Sequence, residues 1–431
     1  MSLYGKQQFQ FGLALESVRG TAEASPVKWY PAMDPEIKYA PALLEDNGLR
    51  GVRADFAPVA GRKLGTGKVK FILDPQMIGE FMYSLMGGVA SAESSVVLID
   101  STNNKLDFNI GASQLTATIA SASYPIGLTQ AGAGTLCKAI YDAIVAAEAV
   151  GTYTVTYSRS TKKFTITRSA GTLNLLWNTG TNTATSIAAT IGFSTAANST
   201  GATSYTGGTS VEYAFAHTFS LGTGVQPPSY TFFLNWGIDV KVYKRSCVQA
   251  VNLSGPVDNL IQVEVDFLFE SEAASGSIGS PSFPTQRYLS FQHTTYKIAG
   301  STNQDVKAWT LKLSNQAKHR LTLAQVQPAQ DIVAPEPFMV EGTLDIDFQA
   351  ETERAKMLAM TSSVQRILVE GSTIGNGVKY AVDLPVTDAR YAEFPFGYEN
   401  NLLAAKVNYK GYHDGTSIIL PVVTNQVVAY A

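Results

Sequence analysis

Cysteine is nearly absent from this chain of 431 residues, which carries only two. Cys137 and Cys247 lie far apart, so they make no disulfide framework, and two thiols alone do not build a metal site. They read as small buried hydrophobes. Histidine is almost as scarce. His217, His293, His319 and His413 show no metal-binding spacing, and no GxSxG elbow accompanies them. His217, in YAFAHTFSL, reads as a strand residue with satisfied hydrogen bonds. Charged residues make up 16%, against about 25% in an ordinary soluble domain. So low a charge points to a surface buried by partners, or to a Thr/Ser/Gly-rich surface of extracellular style. The net charge of −3 marks no nucleic-acid binder. No apolar run reaches membrane-spanning length, so no membrane partner is expected. The segment MSLYGKQQFQFGLALE lacks a basic stretch ahead of an apolar core, so no secretory signal is expected, and folding in a reducing cytoplasm is.

What is present is a small unit that occurs twice. GKVKFILDPQMIGEFMYSLMG from Gly67 lies over GTLDIDFQAETERAKMLAMTS from Gly342. Val69, Phe71 and Leu73 fall on Leu344, Ile346 and Phe348, each triplet alternating with mostly polar residues as in a half-buried strand. Each strand runs into a helical stretch, where Met82 and Leu85 fall on Met357 and Met360. Asp74 and Pro75 suit a helix start and Gly87 a stop. The echo predicts a tandem duplication of a β unit. Apolar residues, 45% of the chain, suffice for sizeable cores, and the length allows about three domains.

Composition shifts after Asn103. From there to about Ser210, Thr and Ser abound and acidic groups nearly vanish. LTATIA reads as a strand, LCKAIYDAIVAAEA as a helix with a stripe at Leu136, Ile140, Ile144 and Ala147, and TYTVTYSRSTKKFTITRS as a hairpin turning near Ser158 to Lys162. The expected organisation is mainly β, a sandwich or barrel with short flanking helices: a first β domain from 1–103 and 211–282, a small α+β domain at 104–210 inserted as a surface decoration, and a second β domain at 283–431. Glu272 to Gln286 has linker composition.

No constellation supports catalysis, no cofactor is implied, and the chain reads as a non-enzyme. GTGK (Gly65 to Lys68) lacks the upstream glycine of a phosphate loop and precedes a strand, so it reads as a turn. Glu264 and Asp266 in QVEVDF, and Asp345 and Asp347 in TLDIDF, project from one face of their strands rather than converging across a cleft. That face is either an ordinary solvated one or the wall of a channel. Lys68 and Lys70 take the same face in the first echo and make the wall mixed.

FGLALESVRGTAEASPVKWYP resembles the start of tail tube proteins of long-tailed bacteriophages, which often read G-x-x-x-E-x-x-x-G-T before a proline and an apolar strand; Gly12, Glu16, Gly20 and Thr21 fit. The stretch LLEDNGLRGVRADFAPVAGRKLGTGKVKFILDPQMIGEFMYSLMG is similar to that family's hairpin and helix. AHTFSLGTGVQPPSYTFF is similar to its strand, proline loop and strand. The 104–210 block departs from the pattern. The resemblance implies a virion protein made in the host cytoplasm. Its rings would stack into a hollow tube lined by charged side chains, through which DNA is ejected without specific binding. With two tube units per chain, three chains would complete a pseudo-hexameric ring, and tape measure, distal tail and terminator proteins would be further partners. Glu264, Asp266, Asp345, Asp347, Lys68 and Lys70 are then expected to line the lumen, with the carboxylates giving a repulsive field. The alternative is a secreted or surface β-rich adhesin or carbohydrate-binding protein.

Overall fold

Strands that bury one face assemble into a large sheet, seen in a computed structural model that describes residues 9–45, 58–275, 280–323, 330–349, 351–399 and 401–430. Its main members are β1 (Gln10–Leu15), β2 (Met33–Leu44), β3 (Val59–Ile72), β4 (Gly87–Glu93), β5 (Phe215–Leu221), β6 (Tyr230–Asn235), β7 (Val240–Pro256) and β8 (Gln262–Phe269). They continue as β9 (Thr294–Ile298), β10 (Val306–Ser314), β11 (Met339–Asp347), β12 (Ser363–Gly375), β13 (Val378–Glu393), β14 (Phe396–Glu399), β15 (Leu402–Tyr412) and β16 (Val422–Asn425). The chain is mainly β, as its alternating sequence predicts.

One layer runs β2-β3-β8-β7-β10-β11-β15 and ends on β13 and β14, every pair antiparallel. The N-terminal parts of the long strands β7 and β13 belong to a second layer. There β7 pairs with β6, which pairs with β1; β13 pairs with β12, which pairs with β9. Strand β5 joins β4 to β16, and β16 joins β13. The inner faces enclose one hydrophobic core that draws residues from Phe11 to Tyr430, so both halves of the chain share it. Val69, Phe71, Val263, Val265, Phe267, Leu344 and Ile346 are buried in it. At the upper end of the exposed-to-buried scale, each such side chain is worth about 1.5–3 kcal/mol.

Helix α1 (Ile78–Met86) follows β3 because the Asp74 carboxylate accepts the Gln76 N–H at 2.8 Å and opens the turn. Gly87, at φ 85°, closes it, its N–H bonding Tyr83 O. Phe81, Met82 and Leu85 enter the core, with Phe81 5.1 Å from the Phe71 ring. The second echo is weaker than its sequence suggests. Helix α3 (Thr352–Leu358) buries none of its residues fully; Met357 reaches the core in part, and Met360 lies beyond the helix end and is exposed. The GTGK stretch is also not a turn: Gly65 to Lys68 sit inside β3, where Gly65 and Gly67 leave room for the rings of Phe269 and Phe267.

The residues between β4 and β5 pack among themselves. A separate cluster begins at Val97, ahead of the composition shift at Asn103, and runs to Phe193. Val96–Ile99 pairs with Ala122–Pro125, and Tyr153–Ser158 with Lys163–Arg168, the turn set by Lys162 at φ 57°. The stripe Leu136, Ile140 and Ile144 of helix α2 (Leu136–Ala147) is buried there, and Thr135 caps it by accepting the Lys138 N–H. The tip of the β2–β3 hairpin at 46–57 and residues 276–279 of the expected linker lie outside the described residues.

Candidate functional site

Because strand side chains alternate, burying Val263, Val265 and Phe267 turns Glu264 and Asp266 to the opposite face. Antiparallel register then sets Glu264 against Lys70 and Asp266 against Lys68 on β3. Lys68 reaches Glu264 at 2.9 Å and Asp266 at 3.8 Å, and Lys70 reaches Glu264 at 3.5 Å. The hydrogen bond to Glu264 holds the Lys68 ammonium above its usual pKa. Burial raises the Asp266 carboxyl above the usual range, against the pull of Lys68 and an Asn252 donor at 3.0 Å. Partly exposed pairs of this kind each stabilise by about 0–1 kcal/mol.

On β11, Asp345 stands opposite Lys406 of β15, and Asp347 pairs with Lys307 at 2.9 Å. The charged face therefore carries lysines beside its carboxylates along β11 as well as along β8. At one equivalent position the two halves exchange the charges of the pair. Lys70 on β3 faces Glu264; Asp345, its counterpart in the echo, faces Lys406. Lys312 and Glu341 stand opposite each other between the halves, and Glu341 also faces Lys410. Lys312, Glu341, Lys406 and Lys410 belong to the face and obey the same alternation; WTLKLS, MVEGTLDID and LLAAKVNYK carried that signal. Together these strands form a concave surface enclosing about 660 Å³, lined among others by Lys70, Glu264, Asn252, Lys312, Glu341 and Lys410.

The echo extends to backbone detail. Gly67 stands opposite Phe267, and Gly342 opposite Tyr409, each glycine beneath its ring. A β-bulge falls between Val248 and Ala250, opposite Phe267 and Asp266. Another falls between Tyr391 and Glu393, opposite Tyr409 and Asn408. Aligned this way, β2-β3-β8-β7 corresponds strand for strand to β10-β11-β15 and the β13–β14 segment.

The N-terminal motif is a structural device. Glu16 is buried and accepts from Gly20 N, Ser229 Oγ and Arg245 N, each at 2.6 Å, and from Thr231 Oγ1 at 3.2 Å. It ties the loop after β1 to β6 and β7. Gly20, at φ 78°, leaves the Arg245 guanidinium no space for a Cβ beside it. Arg19 extends the tie to Asp331 at 2.9 Å and Ile332 O at 2.7 Å.

His217 is buried on β5. Its Nε2 lies 2.9 Å from Val427 O, which only accepts, so Nε2 carries the proton and Nδ1 accepts from Ser91 Oγ at 2.8 Å. Burial holds its pKa below the usual value. Among the described residues no group of three metal-ligating side chains converges, and no helix is long and apolar enough to cross a membrane.

No curated protein matches the chain. Comparison with known families matches residues 7–396 to the one described as phage tail tube protein, a span that includes the N-terminal motif, both echoes and the block between β4 and β5. The chain belongs to the phage tail tube protein family, a structural component of the virion.

Proposed function

We propose that three copies close into a pseudo-hexameric ring, that rings stack into the hollow tail tube, and that phage DNA is ejected through it. The observation that carries this reading is the repeated strand order: β2-β3-β8-β7 continues directly into β10-β11-β15 and β13–β14 as two equivalent sets of four. Six such sets at a strand spacing of about 4.8 Å and a tilt of about 40° close a barrel roughly 48 Å across at the backbone. Side chains narrow that bore and still leave room for a DNA duplex.

The concave face with Lys68, Lys70, Glu264, Asp266, Asp345 and Asp347 lines the lumen in this reading. Lysines already paired to carboxylates are poor phosphate ligands, so DNA slides without specific binding. The first tube unit is the first β domain expected at 1–103 with 211–282 and the second is 283–431, while the block expected at 104–210, whose own core begins earlier at Val97, projects outward. Tape measure, distal tail and terminator proteins are the partners at the tube's centre and ends. Electron microscopy of the purified protein tests the reading: hollow tubes with three chains per ring are expected. A ring of six chains, or the charged face turned outward, overturns it.

A further inference from the structure

The chain contains one finished junction between tube units and one unfinished copy of it. Strand β7 ends one unit and β10 begins the next. They pair through Val251–Leu313, Asn252–Lys312, Leu253–Leu311 and Ser254–Thr310. The repeat fixes which residues stand at the equivalent open edge. Val248 and its bulge correspond to Tyr391 and its bulge, so Ala250, Val251, Asn252 and Leu253 correspond to Glu393, Phe394, Pro395 and Phe396. The pairing beyond the bulge agrees, because Leu253 faces Val263 as Phe396 faces Ala405. On the other strand, Gly67 and Gly342 align Ile37 with Leu311, Lys38 with Lys312, Tyr39 with Leu313 and Ala40 with Ser314.

We infer that β2 of a second copy pairs with the β13–β14 edge in this inherited register: Ile37 opposite Phe396, Tyr39 opposite Phe394, Lys38 opposite Pro395 and Ala40 opposite Glu393. The inference rests on the ring proposed above and specifies its seam. Backbone direction supports it. Pro395 accepts from Lys406 N, so its missing N–H is lost on the β15 side, and its neighbours Phe394 and Phe396 turn their N–H groups to the open edge. The finished junction has the same phase, since Asn315 N bonds Gln249 O and Val257 N bonds Lys307 O across it. Side chains support it as well. Ile37 and Tyr39 are only half-buried against the core, Phe396 is 43% exposed and Tyr398 82% exposed. In the register all four share one face, while Lys38 gains Glu393 as a diagonal neighbour on the other. Pro41, one pair beyond Tyr39, has no N–H and ends the ladder.

Cysteine cross-linking tests the seam. Ala40 and Glu393 would form a non-hydrogen-bonded pair with Cα atoms about 4.5 Å apart, within disulfide range. Both native cysteines are buried and do not interfere. Oxidised assemblies of the Ala40→Cys, Glu393→Cys variant should yield covalent trimers, roughly tenfold more than the offset pair Ala42→Cys, Glu393→Cys, whose Cα atoms lie about 7–8 Å apart. Lys38→Cys with Pro395→Cys, the next pair in register, repeats the test where the first variant does not assemble. Three-chain rings that cross-link through the offset pair, or through neither pair, overturn the seam and leave the ring standing. Wild-type protein that forms no such ring overturns the ring and the seam with it.

Discussion

Gly342 lies directly beneath the ring of Tyr409, leaving no room for a Cβ, and this pair repeats Gly67 beneath Phe267 in the other half of the chain. An aromatic side chain lying flat across a neighbouring strand needs a partner without a side chain on that face. Two such pairs at equivalent positions fix the register of β3 against β8 and of β11 against β15 by shape.

Alanine at Gly342 should therefore destabilise the chain by about 1–3 kcal/mol through overpacking. Urea unfolding measures it, with an unchanged m-value expected. Adding Tyr409→Leu, which removes the ring, should restore part of the loss. If Gly342→Ala alone melts like the parent, the steric account of this register is wrong.

Acid should weaken the fold first through histidine. Burial depresses the pKa of His217 and of His319 in the folded chain. The unfolded state therefore takes up protons that the folded state refuses as pH falls below about 6.5. Their contribution is complete above that pH and is lost toward the lower folded values. Asp74 and Asp266, whose carboxyls burial raises, act in the opposite sense nearer the carboxylate range. The melting temperature should drop between about pH 7.5 and about pH 5.5, and His217→Gln should flatten the slope. A slope unchanged in that variant assigns the effect elsewhere.

Sequence alternation made the central strands legible because one face of each is buried and the other polar. Val263, Val265 and Phe267 against Glu264 and Asp266 are the plainest case. Partners on strands distant in sequence were not legible. Gly65 and Gly67 read as turn residues because glycine's local preference points there, whereas the aromatic rings that require them come from residues 267 and 269. Strand β14 was invisible for the same reason: FPFGYE carries a proline and a glycine, and only pairing with β15 makes it a strand. In α3 the echo predicted a buried stripe, but TERAKML leaves Leu358 exposed and its charged residues half-buried, and of its apolar side chains only Met357 packs against the core. The lysines of the first echo already marked the polar face as mixed, but which lysine meets which carboxylate followed from register, which the sequence does not state. Lys406 was not seen as the mirror of Glu264 because the strand holding it was read without its partner.

Excising the block between β4 and β5 should leave the sheet intact. Glu93 and Phe215 stand directly opposite each other, so a short Gly/Ser joint from residue 94 to residue 214 closes an ordinary hairpin. The excised block should fold alone on its own core, as judged by cooperative melting. Tubes are expected from the shortened chain. A folded but unassembled deletion would show that the block bridges subunits.

Both thiols should resist alkylation. Burial pushes Cys137 and Cys247 up to about 12, so almost no thiolate exists near neutral pH. Labelling by iodoacetamide should require unfolding and should follow the urea transition. Rapid labelling of Cys247 in native protein would contradict its packing against Ala317 and Ile332.

The charged face offers the sharpest test of the lumen. Replacing Glu264, Asp266, Asp345 and Asp347 with lysine would remove the β8 carboxylates that Lys68 and Lys70 pair with, leaving Glu36 beside Lys68 and Lys312, Lys406 and Lys410 on the same surface. The intact pairs are partly exposed and weak, so each single replacement should cost no more than about 1 kcal/mol of stability. A fully basic wall would bind passing phosphates, since lysine–phosphate contacts supply most nonspecific DNA affinity. Virions carrying the fourfold variant should assemble in part and eject DNA slowly, with the rate recovering as salt rises and the Debye length shrinks. Reversing Lys68 and Lys70 to glutamate in the same variant should restore ejection at low salt, because the pairs re-form with opposite sign, as Asp345 and Lys406 already illustrate. Normal ejection by the fourfold variant at low salt would mean that this face does not meet DNA.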